Sequence, residues 1–326
     1  MNILVIGGTL FIGRHLVNAL RAVGHTVTVL HRNREAALPE GVRSLICDRN
    51  DSAAIQQTLT DQRFDAVFDN VYDWQRGTTA DQVIATARAC AHPGLKRYVF
   101  MSSVAAYPLG LDHVENDALV PGSSEDAYAR NKAASERALF DLHEKGHFPV
   151  VTLRPPFVYG PDNPFYREAF FWDRIRDGRP IIMPGDGNRL MQFVYVHDLV
   201  WCCLNVLEND AAAGQAFNVG DIEAITQEEL VFSLSKAAGR DSRIVHVRRE
   251  EAVSKGGHPM GPKMYFAQYY DLPSITMKID KSRDVLGFAP TAFDDGLHRT
   301  YDWWLKNNPF PRPDYSFDNE LLAGRV

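Results

Sequence analysis

A short apolar run at the start of the chain passes directly into a glycine-rich turn and then into a helical pattern. The run is Ile3–Gly7, and the turn continues to Gly13. Beyond the turn, apolar residues recur at helical spacing as far as Leu20, and Gly24 marks the end of the predicted helix. A second β-branched run follows at 26–31. This order of strand, turn, helix and strand predicts a βαβ unit whose turn can bind a pyrophosphate on backbone amides.

Further β-branched runs alternate with helical stretches through the first half of the chain, at 43–48, 65–70, 97–102 and 150–155. Continuous apolar strands separated by helices are typical of a parallel sheet covered on both faces. The sequence therefore predicts an α/β fold with a doubly wound parallel sheet, the Rossmann arrangement. A segment rich in proline and glycine loosens the pattern after about residue 160, which predicts a smaller, discontinuous C-terminal substrate lobe. The expected division is a dinucleotide-binding domain at 1–160 plus about 190–220, and a substrate lobe at about 161–189 and 221–326.

Composition excludes several other classes of protein. The 326 residues include 35 lysines and arginines and 41 aspartates and glutamates, so the net charge is −6. A negative net charge does not attract the phosphates of nucleic acid. The four cysteines are too few and too scattered for a disulfide scaffold or a zinc site, so we expect no bound metal and a reducing compartment. No stretch reaches the roughly 18 apolar residues of a membrane span. We expect a soluble cytoplasmic protein without nucleic-acid or membrane partners.

Residues at the ends of the predicted strands are candidates for dinucleotide binding. Leu10 stands where the extended GxxGxxG fingerprint usually has glycine, so the turn departs from that pattern. The second strand ends in His31-Arg32 with no acid until Glu35, which favours the 2′-phosphate of NADP, although NAD stays open. Asp48 is placed to accept from the adenine amino group. The complete set of predicted cofactor contacts from these strand ends is Gly7, Thr9, Leu10, Phe11, Ile12, Gly13, His31, Arg32, Asp48, Arg49 and Asn70.

Three residues further along form a candidate set for proton transfer. Tyr128 and Lys132 lie at i and i+4 of a predicted helix that begins after Asp126. A nearby ammonium favours the phenolate form of a tyrosine, which is otherwise a poor base near neutral pH. Ser103 directly follows the predicted strand at 97–102, where its hydroxyl can hold a substrate oxygen. Together these groups predict proton transfer beside a hydride carrier.

The same motifs resemble a known family. Ser-Ser-Val-Ala-Ala-Tyr at 102–107, Arg-Pro-Pro-Phe-Val-Tyr-Gly-Pro at 154–161 and the Tyr128-Lys132 pair are similar to the extended short-chain dehydrogenase/reductases, the NAD-dependent epimerase/dehydratase family. The resemblance implies catalytic roles for Ser103, Tyr128 and Lys132, with Lys132 also holding the nicotinamide ribose. It further implies that Pro155 and Phe157 lie beside the carboxamide. The dehydratases of this family carry an Asp-Glu pair where this chain has Val104-Ala105, so dehydration is not expected.

The substrate and assembly are less constrained. Nucleotide-sugar members of the family often use Asn and Arg to hold the diphosphate, at positions that are Phe157 and Met191 here, although Arg189 lies nearby. We therefore expect a sugar-like substrate acted on at a secondary alcohol or ketone, and we leave a homodimer open. One alternative is a nucleotide-sugar 4-epimerase. Another is an RNA-binding protein on the same fold, because the first helix region resembles a branch that includes the chloroplast stem-loop-binding proteins.

Overall fold

The computed structural model describes residues 1–325 and is built around one seven-stranded sheet. The strand order is β12-β7-β5-β4-β1-β2-β3, and every pairing within it is parallel. In chain order the strands of the molecule are β1 (Asn2–Ile6), β2 (Thr26–His31), β3 (Arg43–Ile46), β4 (Ala66–Asp69), β5 (Arg97–Met101), β6 (Gly110–His113), β7 (Val150–Arg154), β8 (Phe157–Tyr159), β9 (Ile181–Pro184), β10 (Leu190–Met191), β11 (Phe193–Tyr195), β12 (Gln215–Asn218), β13 (Ile225–Thr226), β14 (Ile244–Val247) and β15 (Ile275–Met277).

Helices cover both faces of the sheet and form most of the C-terminal part. They are α1 (Phe11–Ala22), α2 (Ser52–Leu59), α3 (Ala80–Cys90), α4 (Ala127–Gly146), α5 (Glu168–Arg176), α6 (Val196–Glu208), α7 (Gln227–Ala238), α8 (Arg249–Ser254), α9 (Asp280–Leu286), α10 (Phe293–Asn307) and α11 (Ser316–Leu322), with short 3₁₀ turns at Val104–Ala106 and Asp210–Ala212. Within residues 1–325, none of these helices is both long and apolar enough to cross a bilayer.

The first strand explains why the sheet is buried on both sides. Its four residues from Ile3 to Ile6 are fully buried. Because side chains alternate across a strand, Ile3 and Val5 join the core under one face, and Leu4 and Ile6 join the core under the other. The predicted doubly wound parallel sheet is confirmed.

The strand order creates a crevice at one point. The chain turns from β1 to β2 on one side and crosses to β4 on the other, so the loops after β1 and β4 diverge there. In open parallel sheets ligands bind outside the carboxyl ends of the strands at such a switch point. The predicted site residues after β1, β2, β3, β4 and β5 all belong to this edge.

The remaining strands form four two-stranded sheets outside the central one, pairing β6 with β15, β8 with β11, β9 with β14 and β10 with β13. β12 belongs to the central sheet, beside β7. The division into a dinucleotide-binding domain and a substrate lobe built from about 161–189 and 221–326 stays a prediction.

One buried ion pair fastens α4 to the sheet. The fully buried carboxylate of Glu136 accepts hydrogen bonds from Arg154 on β7, with Nε at 3.0 Å and Nη2 at 2.6 Å. It also accepts from Thr152 at 3.0 Å and from Ser102, which follows β5. With four donors the charge is fully satisfied, so the pair fixes the helix in one position.

We predict that Glu136→Gln lowers the free energy of unfolding by about 3 kcal/mol, because it leaves the buried Arg154 guanidinium without a counter-charge. Glu144→Gln, an exposed position on the same helix, is the matched control and is expected to change it by less than about 0.5 kcal/mol. Chemical denaturation measures both. Equal stability of the two variants would contradict the role of the pair.

Candidate active site

The glycine turn after β1 is closed by direct backbone packing. A Cβ at Gly13 would stand 1.9 Å from the carbonyl oxygen of Gly7, so no side chain fits there. Gly7 itself has φ of +86°, a conformation that favours glycine. The turn therefore brings the end of β1 against the first turn of α1, as a pyrophosphate-binding loop requires.

The N-terminus of α1 keeps backbone amides available at this turn. Leu10 precedes the helix in an extended conformation, its side chain is exposed, and it gives the helix no side-chain cap. Leu10 therefore needs none of the conformational freedom of the usual glycine. Thr9 and Ile12 are half-buried beside it, whereas Phe11 is buried in the core. A cleft of about 390 Å³ runs from Thr9 to the segment 37–39 that follows β2.

The end of β2 carries a network of two arginines and two aspartates. Arg32 Nη1 donates to Asp73 at 2.7 Å, and Arg76 donates to both Asp73 at 2.7 Å and Asp48 at 2.8 Å. Burial opposes ionisation of Asp73, but hydrogen bonds from Arg76, the backbone and Arg32 hold its pKa well below the usual range. The exposed guanidinium of Arg32 is thereby oriented by Asp73. The sequence predicted Arg32 and Asp48 here but not the ion pairs that join them.

Arg49 and His31, two of the predicted cofactor contacts, have inward-facing side chains. Arg49 donates to the fully buried Asp69 at 2.5 Å and to Gln82 and Thr86 of α3. His31 contacts Ser44 of the neighbouring strand at 2.8 Å. The Arg49 guanidinium is thus committed to packing β4 against α3, and a cofactor contact there is left to the backbone.

Asn70 follows β4 at the switch point and lacks partners of its own. Both polar atoms of its side chain are buried, and neither has a hydrogen-bond partner among the described residues. The next residue, Val71, packs directly beside Gly7. Buried amide groups are normally satisfied. The unpartnered amide and the glycine cradle therefore fit a polar ligand in the crevice, as a dinucleotide would provide.

Tyr128, in the first turn of α4, lies against the segment after β4. Asp126 caps the helix by accepting from Ala129 N at 3.1 Å. The Tyr128 ring packs edge-on against Tyr72 with centroids 4.7 Å apart. Burial raises the pKa of Tyr128 to about 12, while the Ser103 hydroxyl and the charge of Arg167 act in the opposite direction. The phenol is therefore protonated at neutral pH and close to Ser103.

Lys132 lies one turn further along and is buried. Its Nζ donates to the carbonyl oxygen of Met101 at 2.6 Å and lies 5.8 Å from the Tyr128 ring centroid. Burial lowers the pKa of Lys132 to about 8, and the charges of Asp69 and Glu136 oppose that effect. Ser103 accepts from Ala105 N at 3.1 Å, so it also caps the short 3₁₀ turn. The predicted Ser, Tyr and Lys side chains all lie at the ends of β5 and α4.

The residues predicted beside the carboxamide follow β7. The carbonyl of Pro155 accepts from Val104 N at 2.9 Å, which ties this loop to Ser103. Phe157 begins β8, and its ring contacts Tyr270. Arg189, the nearby basic residue, is paired with the buried Asp271 at 3.0 Å. Arg249 also donates to Asp271, at 2.9 Å, so the two guanidinium groups share one carboxylate.

An aromatic cluster over Tyr128 consists of Tyr72, Trp74, Phe165 and Tyr269. Trp74 stacks on Tyr128 with centroids 4.8 Å apart, and it also contacts Phe165 at 6.2 Å and Tyr269 at 5.9 Å. Neither Trp74 nor Phe165 belongs to a motif, and the two lie far apart in the chain, so the sequence pattern did not predict their place in the site.

Comparison with known proteins agrees with this geometry. The sequence profile of the NAD dependent epimerase/dehydratase family matches residues 3–220. The chain belongs to this family. The predicted resemblance is therefore confirmed. The family is defined by epimerases and dehydratases that depend on NAD.

Two curated relatives and one solved structure illustrate the breadth of the epimerase/dehydratase family. The chain is 30% identical to the chloroplast stem-loop binding protein of 41 kDa b from Arabidopsis thaliana, covering 99% of this chain and 85% of that protein. It is 29% identical to 2'-dehydrokanamycin reductase from Streptomyces kanamyceticus, covering 78% and 72%. A UDP-glucose 4-epimerase structure from Thermotoga maritima superposes with a TM-score of 0.78 at 22% identity, covering 94% and 100%. That last similarity shows the fold alone.

We predict that Gly13→Ala weakens binding of a nicotinamide dinucleotide by about tenfold or more, because the new Cβ forces the backbone of Gly7 away. Gly122→Ala is the matched control, since a Cβ there meets open space and its backbone is not left-handed. Fluorescence titration with NADPH measures the affinity. Unchanged affinity in a folded Gly13→Ala protein would show that the turn does not hold the dinucleotide.

Proposed function

We propose that this epimerase/dehydratase family member is an NAD(P)-dependent oxidoreductase or epimerase that acts on a secondary alcohol or ketone of a sugar-like substrate. The observation that carries the proposal is the placement of Tyr128. Its phenol adjoins Ser103 at one side and Tyr72 at the other, and Tyr72 is two residues from the unpartnered Asn70 of the dinucleotide crevice. A proton donor next to that crevice suits hydride chemistry.

The chain's own residues supply the proton and the positioning, and the dinucleotide supplies the hydride donor or acceptor when bound. A Tyr128 phenol with a pKa of about 12 is protonated at pH 7, so it is ready to donate to a ketone oxygen during reduction. For alcohol oxidation the same group must first lose its proton, which the Ser103 hydroxyl and the Arg167 charge assist. The resting protonation state of Tyr128 therefore suits the proton-donating half of the reaction, whatever the net direction of turnover.

Lys132 acts next to this proton donor. Its ammonium is held by the Met101 carbonyl at the end of β5. From there it is available to ribose hydroxyls, which is the role that the family resemblance implies. Because its charge is buried, exchanging the single carbonyl for hydroxyl partners would stabilise the protonated form.

NADP(H) is the proposed coenzyme of this family member. The residue after β2 is Arg32 rather than an acid, and Asp73 holds its exposed guanidinium at the strand end. Arg76 lies on the same aspartate. The two arginines face two aspartates, so the local charge is balanced and we expect a modest preference.

RNA binding is the second candidate, and it rests on the similarity to the stem-loop binding protein along almost the whole chain. The net charge of −6 and the presence of Tyr128 and Lys132 favour the enzyme. A filter-binding assay with a stem-loop RNA, run beside dinucleotide turnover, separates the two candidates.

We predict that Tyr128→Phe lowers turnover by about 10²–10⁴-fold and leaves dinucleotide affinity nearly unchanged, because only the proton-transferring hydroxyl is removed. Lys132→Met is expected to lose both turnover and nicotinamide binding. Tyr315→Phe, which removes a remote hydroxyl bound to Asp177, is the control. Dinucleotide absorbance during turnover measures the rates, and a fully active Tyr128→Phe protein would end the proposal.

We predict that NADP(H) binds more tightly than NAD(H) and that Arg32→Ala narrows this difference by about 1.5 kcal/mol, roughly tenfold. This free-energy difference is at the lower end of the range for a charged hydrogen bond, because the Arg32 guanidinium would bind the 2′-phosphate and Asp73 at the same time. Arg63→Ala is the control, because Arg63 is exposed and precedes β4, at the amino ends of the strands and away from the predicted site. Calorimetric titration of both dinucleotides is the measurement, and tighter NAD(H) binding by the unaltered protein would contradict it.

A further inference from the structure

Arg167 is a buried cation without a carboxylate partner. The residue is only 8 % exposed. Its guanidinium donates to the carbonyl of Gln268 at 3.3 Å and, at the limit of a hydrogen bond, to that of Val158 at 3.5 Å. No Asp or Glu oxygen of the described chain lies within 4.0 Å of it. By contrast, the buried side chains of Arg49, Arg154 and Arg174 are each paired with a buried acid.

Glu168, the adjacent acid, lies within electrostatic range of this charge but forms no ion pair with it within 4.0 Å. The Glu168 carboxyl accepts from the Tyr270 hydroxyl at 2.5 Å and from Asn163 Nδ2 at 3.1 Å, so both of its oxygens are engaged by neutral donors. Burial raises the pKa of Glu168, and the hydrogen bond from Tyr270 and the charge of Arg167 oppose that rise. Leaving a guanidinium buried without a counter-charge costs free energy. That cost would be recovered when an anion binds.

Aromatic rings enclose the guanidinium. Its Cζ atom lies 4.5 Å from the ring centroid of Phe165, 5.4 Å from those of Phe157 and Tyr270, and 5.5 Å from that of Tyr269. Such rings attract a cation through their faces and exclude water. An anion that enters this enclosure would therefore interact with Arg167 at low screening.

The enclosure adjoins the reacting hydroxyl. Phe165 and Tyr269, two of the rings around Arg167, are in contact with Trp74, which stacks on Tyr128. Trp74 is 55 % exposed, so it forms the solvent side of the cluster. The charge of Arg167 also acts on the Tyr128 phenol, so a substrate whose carbonyl or hydroxyl reaches Tyr128 comes within electrostatic range of the Arg167 guanidinium.

We propose that Arg167 binds a carboxylate of the substrate, so that the substrate class is a sugar acid or a hydroxy or oxo acid of similar size. A single planar guanidinium matches a carboxylate in bidentate fashion. The inference deepens the proposed function and rests on it, because it assumes that Tyr128 acts on the same molecule. Arg167 is in this view a specificity-determining residue.

The selectivity of the unaltered, NADP⁺-loaded chain is the first test. Calorimetric titration compares D-glucuronate with neutral D-glucose and cationic D-glucosamine. We expect D-glucuronate to bind about tenfold or more tightly than either, as one charged hydrogen-bonded contact provides. Equal binding of glucuronate and glucose, tighter binding of glucosamine, or no saturable glucuronate binding would overturn the inference.

Variants of Arg167 separate recognition from a structural role. Arg167→Gln is expected to lose the preference for glucuronate while its affinity for glucose stays the same, and Arg167→Lys is expected to keep part of the preference. Arg176→Gln, an exposed position at the other end of α5, is the control. Equal losses for glucuronate and glucose in Arg167→Gln would indicate a structural role and contradict the proposal. If that variant does not fold, Arg167→Met takes its place, and an undiminished preference for glucuronate in Arg167→Met contradicts the proposal.

Tyr128→Phe distinguishes failure of this inference from failure of the proposed function. Loss of turnover in that variant with retained glucuronate binding supports both. Full turnover in Tyr128→Phe would overturn the proposed function. If turnover depends on Tyr128 but glucuronate binds no more tightly than glucose, only the assignment of Arg167 is overturned.

Discussion

The buried ion pair between Glu136 and Arg154 determines where the reactive groups lie. Glu136 is four residues after Lys132 and eight after Tyr128 on α4, so all three lie near one face of the helix. Arg154 also donates to the Tyr107 hydroxyl at 2.6 Å, and that hydroxyl donates to Asn218 on β12 at 2.9 Å. One pair of charges thus connects α4, β7 and β12. A shift of the helix that moved Tyr128 from Ser103 would have to break this network, whose charges are costly to leave unpaired away from water.

Local pattern was sufficient to predict the sheet, the glycine turn and the grouping of three side chains. Apolar runs predict the strands because a parallel sheet buries both of its faces. Glycine is required at position 13 because a side chain there would collide with the carbonyl oxygen of Gly7. Tyr128 and Lys132 share a face because their spacing is helical. Ser103 joins them because α4 leads into β7, a parallel neighbour of β5, and so begins at the edge of the sheet where β5 ends. Each of these inferences needs only the geometry of a few adjacent elements.

Contacts between distant segments could not be predicted in the same way. Arg32 pairs with Asp73, and Arg49 turns inward to Asp69, because the loops after β2, β3 and β4 converge in space. The enclosure of Arg167 by rings from three separate segments depends on the packing of the C-terminal part against the sheet. Nothing in the spacing of aromatic residues distinguishes such a cluster from an ordinary core. Burial of a charge without a partner is a signal that only tertiary structure provides.

A crystal structure of the protein with bound NADP⁺ tests the central claim most directly, that the glycine turn and Tyr128 serve one dinucleotide. The claim predicts the pyrophosphate on the amides at the start of α1, with the nicotinamide ribose within hydrogen-bond distance of Lys132 Nζ, which then exchanges its bond to the Met101 carbonyl. A dinucleotide whose nicotinamide end lies away from Tyr128 and Lys132, with the Lys132 bond to Met101 intact, would contradict it.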